Sequence, residues 1–252
     1  NNTEKKQAES LAKKQDDVQK QTDKLEQESK ELAEKMKELA EEMPVDKMQQ
    51  ANENLEKSNP QQSMQKSKQQ MQSGQMSQAQ QSQQQAQQSL EQFQQDLKNA
   101  QKEMRENQMQ QIVKELQKQL DNALELSKKQ EGLRNATQQL DPNSQRFRDN
   151  AQEQNQMRDN VNDVANALSQ LGKKSFAISP EMGKALGDAM KQMESALNGM
   201  EGRNPGLSAQ QQSAAMGSLN KAAAMMQQSL QGMQGGGGGG MGMQGMMQAL
   251  GQ

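Results

Sequence analysis

The only soft metal ligand this chain offers is thioether sulfur, and it is bunched near the end at Met241, Met243, Met246 and Met247. Thioethers select Cu(I). Copper sites often add His or Cys, however, and the chain has neither. Methionine is also its default apolar residue, with 21 in all, including Met36, Met43, Met104, Met157 and Met190 in helical seams. The cluster is therefore read as apolar side chains, and no metal or other cofactor is expected.

Other chemistry is thinner still. Without His or Cys there is no imidazole base, thiolate nucleophile, Ser-His-Asp triad, zinc finger or disulfide. Asp16-Asp17 and Glu41-Glu42 are paired carboxylates, but they lie in heavily charged helical stretches with nothing to build a desolvated pocket. The glycine run at 235–240 is no phosphate loop, because no Lys-Ser/Thr follows it and no strand precedes it. Asp141-Pro-Asn143 lacks the remaining ligands of a calcium loop. The expectation is a protein that is not an enzyme.

Charge and composition narrow the partners. The formal net charge is -2, from 30 basic and 32 acidic residues. Adjacent basic pairs occur only at Lys5-Lys6, Lys13-Lys14, Lys128-Lys129 and Lys173-Lys174, too scattered to track a phosphate backbone, so no nucleic acid is expected. Apolar residues make up 30% of the chain, below the roughly 45–50% of globular domains, and three Phe are its only aromatics. That is too little large apolar surface for an ordinary compact enzyme. No stretch approaches the roughly 20 apolar residues that span a bilayer. The chain begins at Asn1 without a signal-peptide pattern, and it is read as a processed product or fragment whose membrane anchor, if any, lies outside it.

These residues must be positioned by helices. Leu11, Val18, Leu25, Leu32 and Leu39 recur every seven residues, and Gln15, Thr22, Ser29, Met36 and Met43 form a second series four residues after each. Two seams at this spacing describe a helix that supercoils around a partner, with Leu11, Val18, Leu25, Leu32, Met36, Leu39 and Met43 as its interaction seam. Polar residues in the first half of the second series weaken it, so contact should tighten towards Met36 and Met43. Acid-before-base pairs such as Asp16/Lys20 and Glu26/Lys30 keep the helix soluble. The same heptads fit a parallel homodimer, an intrachain antiparallel hairpin or a different helical protein. Pro44 ends this element. A short helix with Met48, Ala51 and Leu55 follows, closed by Asn59-Pro60.

Residues 61–95 hold 18 Gln. Such tracts are prone to disorder and β aggregation, yet Gln also favours helix. From Ala79 onward, Ala86, Phe93 and Ala100 continue a seven-residue step, and Leu90, Leu97 and Met104 keep a second, which favours helix; before Ala79, fraying is expected. After a phase break near Met104, the seam resumes through Ile112, Leu116, Leu126 and Leu133. The Leu140–Ser144 stretch is a strong break. A helix is expected over about 144–171, with Gly172 as its C-terminal cap. Ser179-Pro180-Glu181 reads as a helix start. Met182, Leu186, Met190, Met193 and Leu197 then give the 3/4 spacing of a buried face. Because thioethers repack easily, the same residues are also a candidate binding face. Ser208 is the expected cap of a final helix carrying Ala215, Leu219, Ala222, Met226 and Leu230.

The predicted organisation is all-α. It comprises a heptad coiled-coil helix at 1–43, a punctuated connector at 44–60, and a Gln-rich tract continuing as a long helix at 61–140. A three-helix bundle at 141–231 and a flexible, disordered Gly/Met/Gln tail at 232–252 complete it.

The order of parts carries a resemblance. A Glu/Lys-rich coiled coil (Lys24-Leu-Glu-Gln through Glu41-Glu-Met-Pro44) precedes a Gln/Met-rich tract. Then come Phe176-Ala-Ile-Ser-Pro180-Glu-Met-Gly183, Met193-Glu-Ser-Ala-Leu197 and Ala222-Ala-Ala-Met-Met226 before a Gly/Met/Gln tail. This resembles the long C-terminal helical region of large uncharacterised bacterial envelope proteins, a family of unknown function with transmembrane helices near the N-terminus. The resemblance implies a soluble portion of a membrane-anchored envelope protein, with no functional residues to carry over. The expected function is a non-enzymatic structural or scaffolding coiled coil that associates through heptad seams, with itself or another protein. The rival expectation is a Met-lined, chaperone-like helical module binding apolar protein segments.

Overall fold

The computed structural model describes residues 2–39 and 43–235. Among the described residues all regular structure is helical, in seven helices. These are α1 (Asn2–Leu39), α2 (Val45–Ser58), α3 (Pro60–Gln72), α4 (Met76–Gln139), α5 (Gln145–Gly172), α6 (Pro180–Glu201) and α7 (Pro205–Gly235). The chain divides into two compact units, residues 1–109 and 110–252, and the boundary falls inside α4. The expected tail, with Met241, Met243, Met246 and Met247, lies outside the described residues.

In the first unit, α2 and α3 together return along α1. Asn59 joins them in the left-handed conformation, with φ 41°, and its side chain accepts a hydrogen bond from Gln62 N at 3.1 Å, which caps α3. The fraying expected before Ala79 is not found. Residues 60–72 are helical because Met64 and Met71, seven apart, bury themselves while the intervening Gln residues favour helix. Gly74, with φ 75°, turns the chain into α4. There the expected series Ala79, Ala86, Phe93 and Ala100 is buried throughout.

The second unit is built from the rest of α4 with α5, α6 and α7. Its core joins Ile112, Leu116, Leu126 and Leu133 of α4 to Val161, Leu168, Leu186, Met193, Leu219 and Met226. The expected three-helix bundle thus takes in a fourth helix, because the α4 seam resuming after Met104 needs cover and α5–α7 supply it. Ser144 caps α5 by accepting from Phe147 N at 3.2 Å. Gly172 is the last residue of α5 and has no left-handed conformation; the cap is Lys173, in the right-handed region. Ser179 does precede Pro180 at the start of α6, but its side chain caps no backbone N–H.

At the start of α7, Asn204 performs the capping expected of Ser208, with its Oδ1 accepting from Leu207 N at 3.0 Å. Ser208 lies inside the helix, fully buried, where it packs against Gly199. The helix begins at Pro205, which suits the first turn, so the capping position falls to the residue before it.

Candidate functional site

The site grows out of how α1 uses its two heptad series. The residues it buries are Ala12, Thr22, Ser29, Ala33 and Met36. Most of these are small or carry a hydroxyl, so α1 can lie close to α2 and α3. Their polar groups are satisfied on the way: Thr22 Oγ1 donates to Val18 O at 2.9 Å, and Ser29 Oγ donates to Asn52 Oδ1 at 2.6 Å. Buried polar groups with partners add directional contacts where unpaired ones would cost stability. Polar pairs flank this seam. Gln61 donates to Glu26, Lys30 pairs with both Glu26 and Glu56, and Lys68 pairs with Asp16 at 2.6 Å. Asp16 reaches across to Lys68 instead of closing the expected pair with Lys20.

These contacts shift two ionisable groups. The hydrogen bond from Lys68 holds the Asp16 carboxyl below its ordinary value, against a smaller opposing effect of burial. The hydrogen bonds to Glu26 and then Glu56 hold the Lys30 ammonium above its ordinary value. Both pairs tie α1 to the α2–α3 return.

The leucine series is placed differently from the polar one. Leu11, Val18, Leu25 and Leu32 are 42–49% exposed. Of the arrangements these heptads fit, an antiparallel return within the chain does form with α2 and α3, but the leucine series does not supply its contact. The small and hydroxyl-bearing residues of α1 take the intrachain contact, because they permit closer approach and find hydrogen-bond partners there. Met36 is buried with Ala33, Met48 and Ala100, and Met43 packs against that cluster, so the apolar contact tightens where expected. The side chain of Leu39 lies outside the described residues.

Val18, Leu25 and Leu32 line a groove whose second wall is the first part of α4. Gln83 Nε2 donates to Gln15 Oε1 at 3.0 Å near one end, and Ala33 and Met36 share a cluster with Ala100 near the other. The two helices therefore run in the same direction. Between them lie cavities of about 760 Å³ and about 490 Å³, with Leu25, Gln94 and Leu97 lining both. Val18, Leu25 and Leu32 face half-buried Leu90, Leu97 and Met104 of α4 across this space. The α4 residues share the seven-residue step of the α1 series. That step was the available signal that the two stripes belong to one groove. Gln21 and Glu28 of α1 sit on its rim.

The other predicted face is not a free surface. Met182, Leu186 and Met193 are buried in the core of the second unit, and Met190 packs against it; Leu197 is half-buried. The 3/4 spacing marks core here, because α5 and α7 cover that side of α6. Phe176 sits in the loop before α6 and is 92% exposed.

In the same unit, a cleft of about 370 Å³ is lined by Lys118, Lys129, Glu125 and Asp163, among others. Its charges balance in sign, and the hydrogen bond from Lys129 holds Glu125 below the ordinary carboxylate value. Such a balanced set selects neither an anion nor a cation. Among the described residues no group of three or more His, Cys, Asp or Glu is placed to share a metal ion. Asp141 Oδ1 accepts from Asn143 N at 2.8 Å, so this pair builds the turn between α4 and α5. Comparison with protein-family models, curated proteins and solved structures finds no match to this chain.

Proposed function

We propose that this chain is a non-enzymatic structural or scaffolding protein of the bacterial cell envelope that associates with a further helix through its N-terminal heptad seam. The observation that carries the reading is the half-exposure of Leu11, Val18, Leu25 and Leu32, of which Val18, Leu25 and Leu32 line one side of a largely apolar groove. Single exposed leucines are ordinary, but a stripe of them at heptad spacing beside a second stripe is a helix-docking geometry. The absence of His and Cys from the sequence supports the non-enzymatic part. The envelope setting rests on the family resemblance, and membrane attachment is assigned to an anchor outside this chain. The heptads also support an elongated, coiled-coil arm.

Site-specific photo-crosslinking in living cells tests the association. A photoreactive residue at Leu25 should trap a protein partner, whereas one at exposed Glu31, away from the groove, should not. Failure of the Leu25 probe to trap anything beyond the Glu31 control would remove the reading. For the elongated form, small-angle scattering should give a radius of gyration well above the roughly 18 Å of a compact 252-residue chain. A value near 18 Å would remove it.

A further inference from the structure

We infer that the helix received by this groove is α1 of a second copy of the same chain, running antiparallel about a two-fold axis at Gln21. The inference deepens the association reading and rests on it.

The apolar stripe has a centre. Val18 and Leu25 lie on either side of Gln21-Thr22, and Leu11 and Leu32 lie one heptad further out. Turned end over end about that centre, the stripe superimposes on itself: Val18 meets the second copy's Leu25, and Leu11 meets its Leu32. The stripe from Leu11 to Leu32 spans about 32 Å of helix, long enough for a continuous contact. The exposed rim is centred within half a residue of that point, at Gln21. Gln21 and Glu28 line the groove between the leucines, and Lys14 holds the same heptad position seven residues before Gln21.

Charge then chooses the direction. In a parallel pair Lys14 would face Lys14 and Glu28 would face Glu28, which gives two repulsions. In the antiparallel pair Lys14 faces the second copy's Glu28 twice, and Gln21 faces Gln21, whose amide can both donate and accept. Charge patterns of this kind set helix orientation by penalising the wrong alignment as well as favouring the right one. Glu28 already has a neighbour in Lys24 at 3.5 Å, with side chains 59% and 77% exposed. Such an exposed pair within one helix contributes little and yields readily to an intermolecular one. Among the described residues Lys14 has no ion-pair partner. A two-fold contact of this type is isologous and closes on itself, so it covers both stripes without generating a filament.

The chain contains no Cys, so introduced cysteines read the register directly. In the full chain, Gln21→Cys should oxidise to a disulfide-linked dimer. Mixing Lys14→Cys with Glu28→Cys should give a 14–28 cross-link. Lys14→Cys alone should not link to itself, because antiparallel pairing separates the two positions by about 21 Å along the axis. In sedimentation, Lys14→Glu and Glu28→Lys should each weaken the dimer about tenfold, since each change turns two attractions into repulsions. The double variant K14E/E28K should restore it. Circular dichroism should show every variant as helical as the parent, because all the altered positions are exposed.

A dimer that cross-links 14 to 14 and not 14 to 28 overturns the antiparallel register. A chain that stays monomeric at every concentration overturns the second copy as occupant. If the photoreactive Leu25 in that monomer still traps another protein, the association reading survives alone; if it traps nothing, both fall.

Discussion

Gln130 of α4 and Gln154 of α5 exchange two side-chain hydrogen bonds, 2.7 Å and 2.8 Å long, with both residues fully buried. Gln212 of α7 joins them by donating to Gln154 Oε1 at 2.9 Å and to Thr137 Oγ1 at 3.3 Å. Thr137 Oγ1 in turn donates to Leu133 O at 2.8 Å. Three helices are thereby held in one register, because a shift of any of them by one turn would leave buried amides without partners. This polar layer sits within an otherwise apolar core, and each of its members gains from the others.

Replacing Gln154 by Leu should destabilise the second unit by about 3 kcal/mol, because it strands both Gln130 amide groups and a Gln212 donor in the core. Urea unfolding measures this. The double variant Q130L/Q154L should cost clearly less than the sum of the two single changes, since it removes both halves of the reciprocal pair. Additive costs would mean that the two amides act independently.

At Gly199, α6 lies close against Ser208 of α7. A Cβ there would stand 2.6 Å from Ser208 Oγ and 3.1 Å from Ser208 N. Gly199→Ala should therefore lower stability by about 1–3 kcal/mol through overpacking, despite the better helix propensity of alanine. At Gly187 in the same helix nothing lies within 4 Å of an added Cβ. Gly187→Ala should stabilise by up to about 1 kcal/mol. Thermal unfolding of the two variants should move in opposite directions.

The docking of α1 should weaken at both ends of the pH scale. The carboxyl of Asp16 is depressed by Lys68, so its contribution is present above the unfolded value and is lost as pH falls below about 4 through the lower folded value. The ammonium of Lys30 is raised by Glu26 and Glu56. Its contribution is present below about pH 10 and is lost as pH rises through the higher folded value. The protection of the α1 amides against hydrogen exchange, taken relative to the intrinsic exchange rate at each pH, should fall at each extreme. In Asp16→Asn the acid limb should be reduced while the alkaline limb stays.

The leucine stripe of α1 and the methionine-rich face of α6 should respond in opposite ways to substitution. Leu25→Gln removes a half-exposed side chain, and at low protein concentration it should change stability by less than about 0.5 kcal/mol. Met193→Ala empties a fully buried position and should cost about 2–5 kcal/mol. Photo-crosslinking yield from position 25 should show the reverse order. It should fall when Val18 or Leu32, which line the groove on either side of Leu25, is replaced by Gln, and stay unchanged in Met193→Ala.

Much of the helical layout was legible from local chemistry. Pro44, Asn59-Pro60, the Leu140–Ser144 turn and Ser179-Pro180 all punctuate helices where their backbone restrictions require it. The buried series Ala79, Ala86, Phe93 and Ala100 could be read from spacing alone, as could Ala215, Leu219, Ala222, Met226 and Leu230. At the candidate site the leucine stripe was legible as a stripe. That α4 supplies its opposite wall was not: the seven-residue step shared by the two stripes makes them compatible, but a shared step does not by itself say which helices run side by side.

What the amino-acid order determined by itself is therefore the all-helical class, the helix ends and the apolar periodicity, along with the lack of the residue types needed for imidazole or thiolate chemistry. These depend on backbone restrictions and side-chain identity within a few turns of helix. Only the tertiary structure decided which heptad series of α1 turns inward. That choice depends on partners distant in the chain: Asn52 and Glu56 accept from Ser29 and Lys30, Gln61 and Lys68 donate to Glu26 and Asp16, and so Val18, Leu25 and Leu32 are left facing the groove.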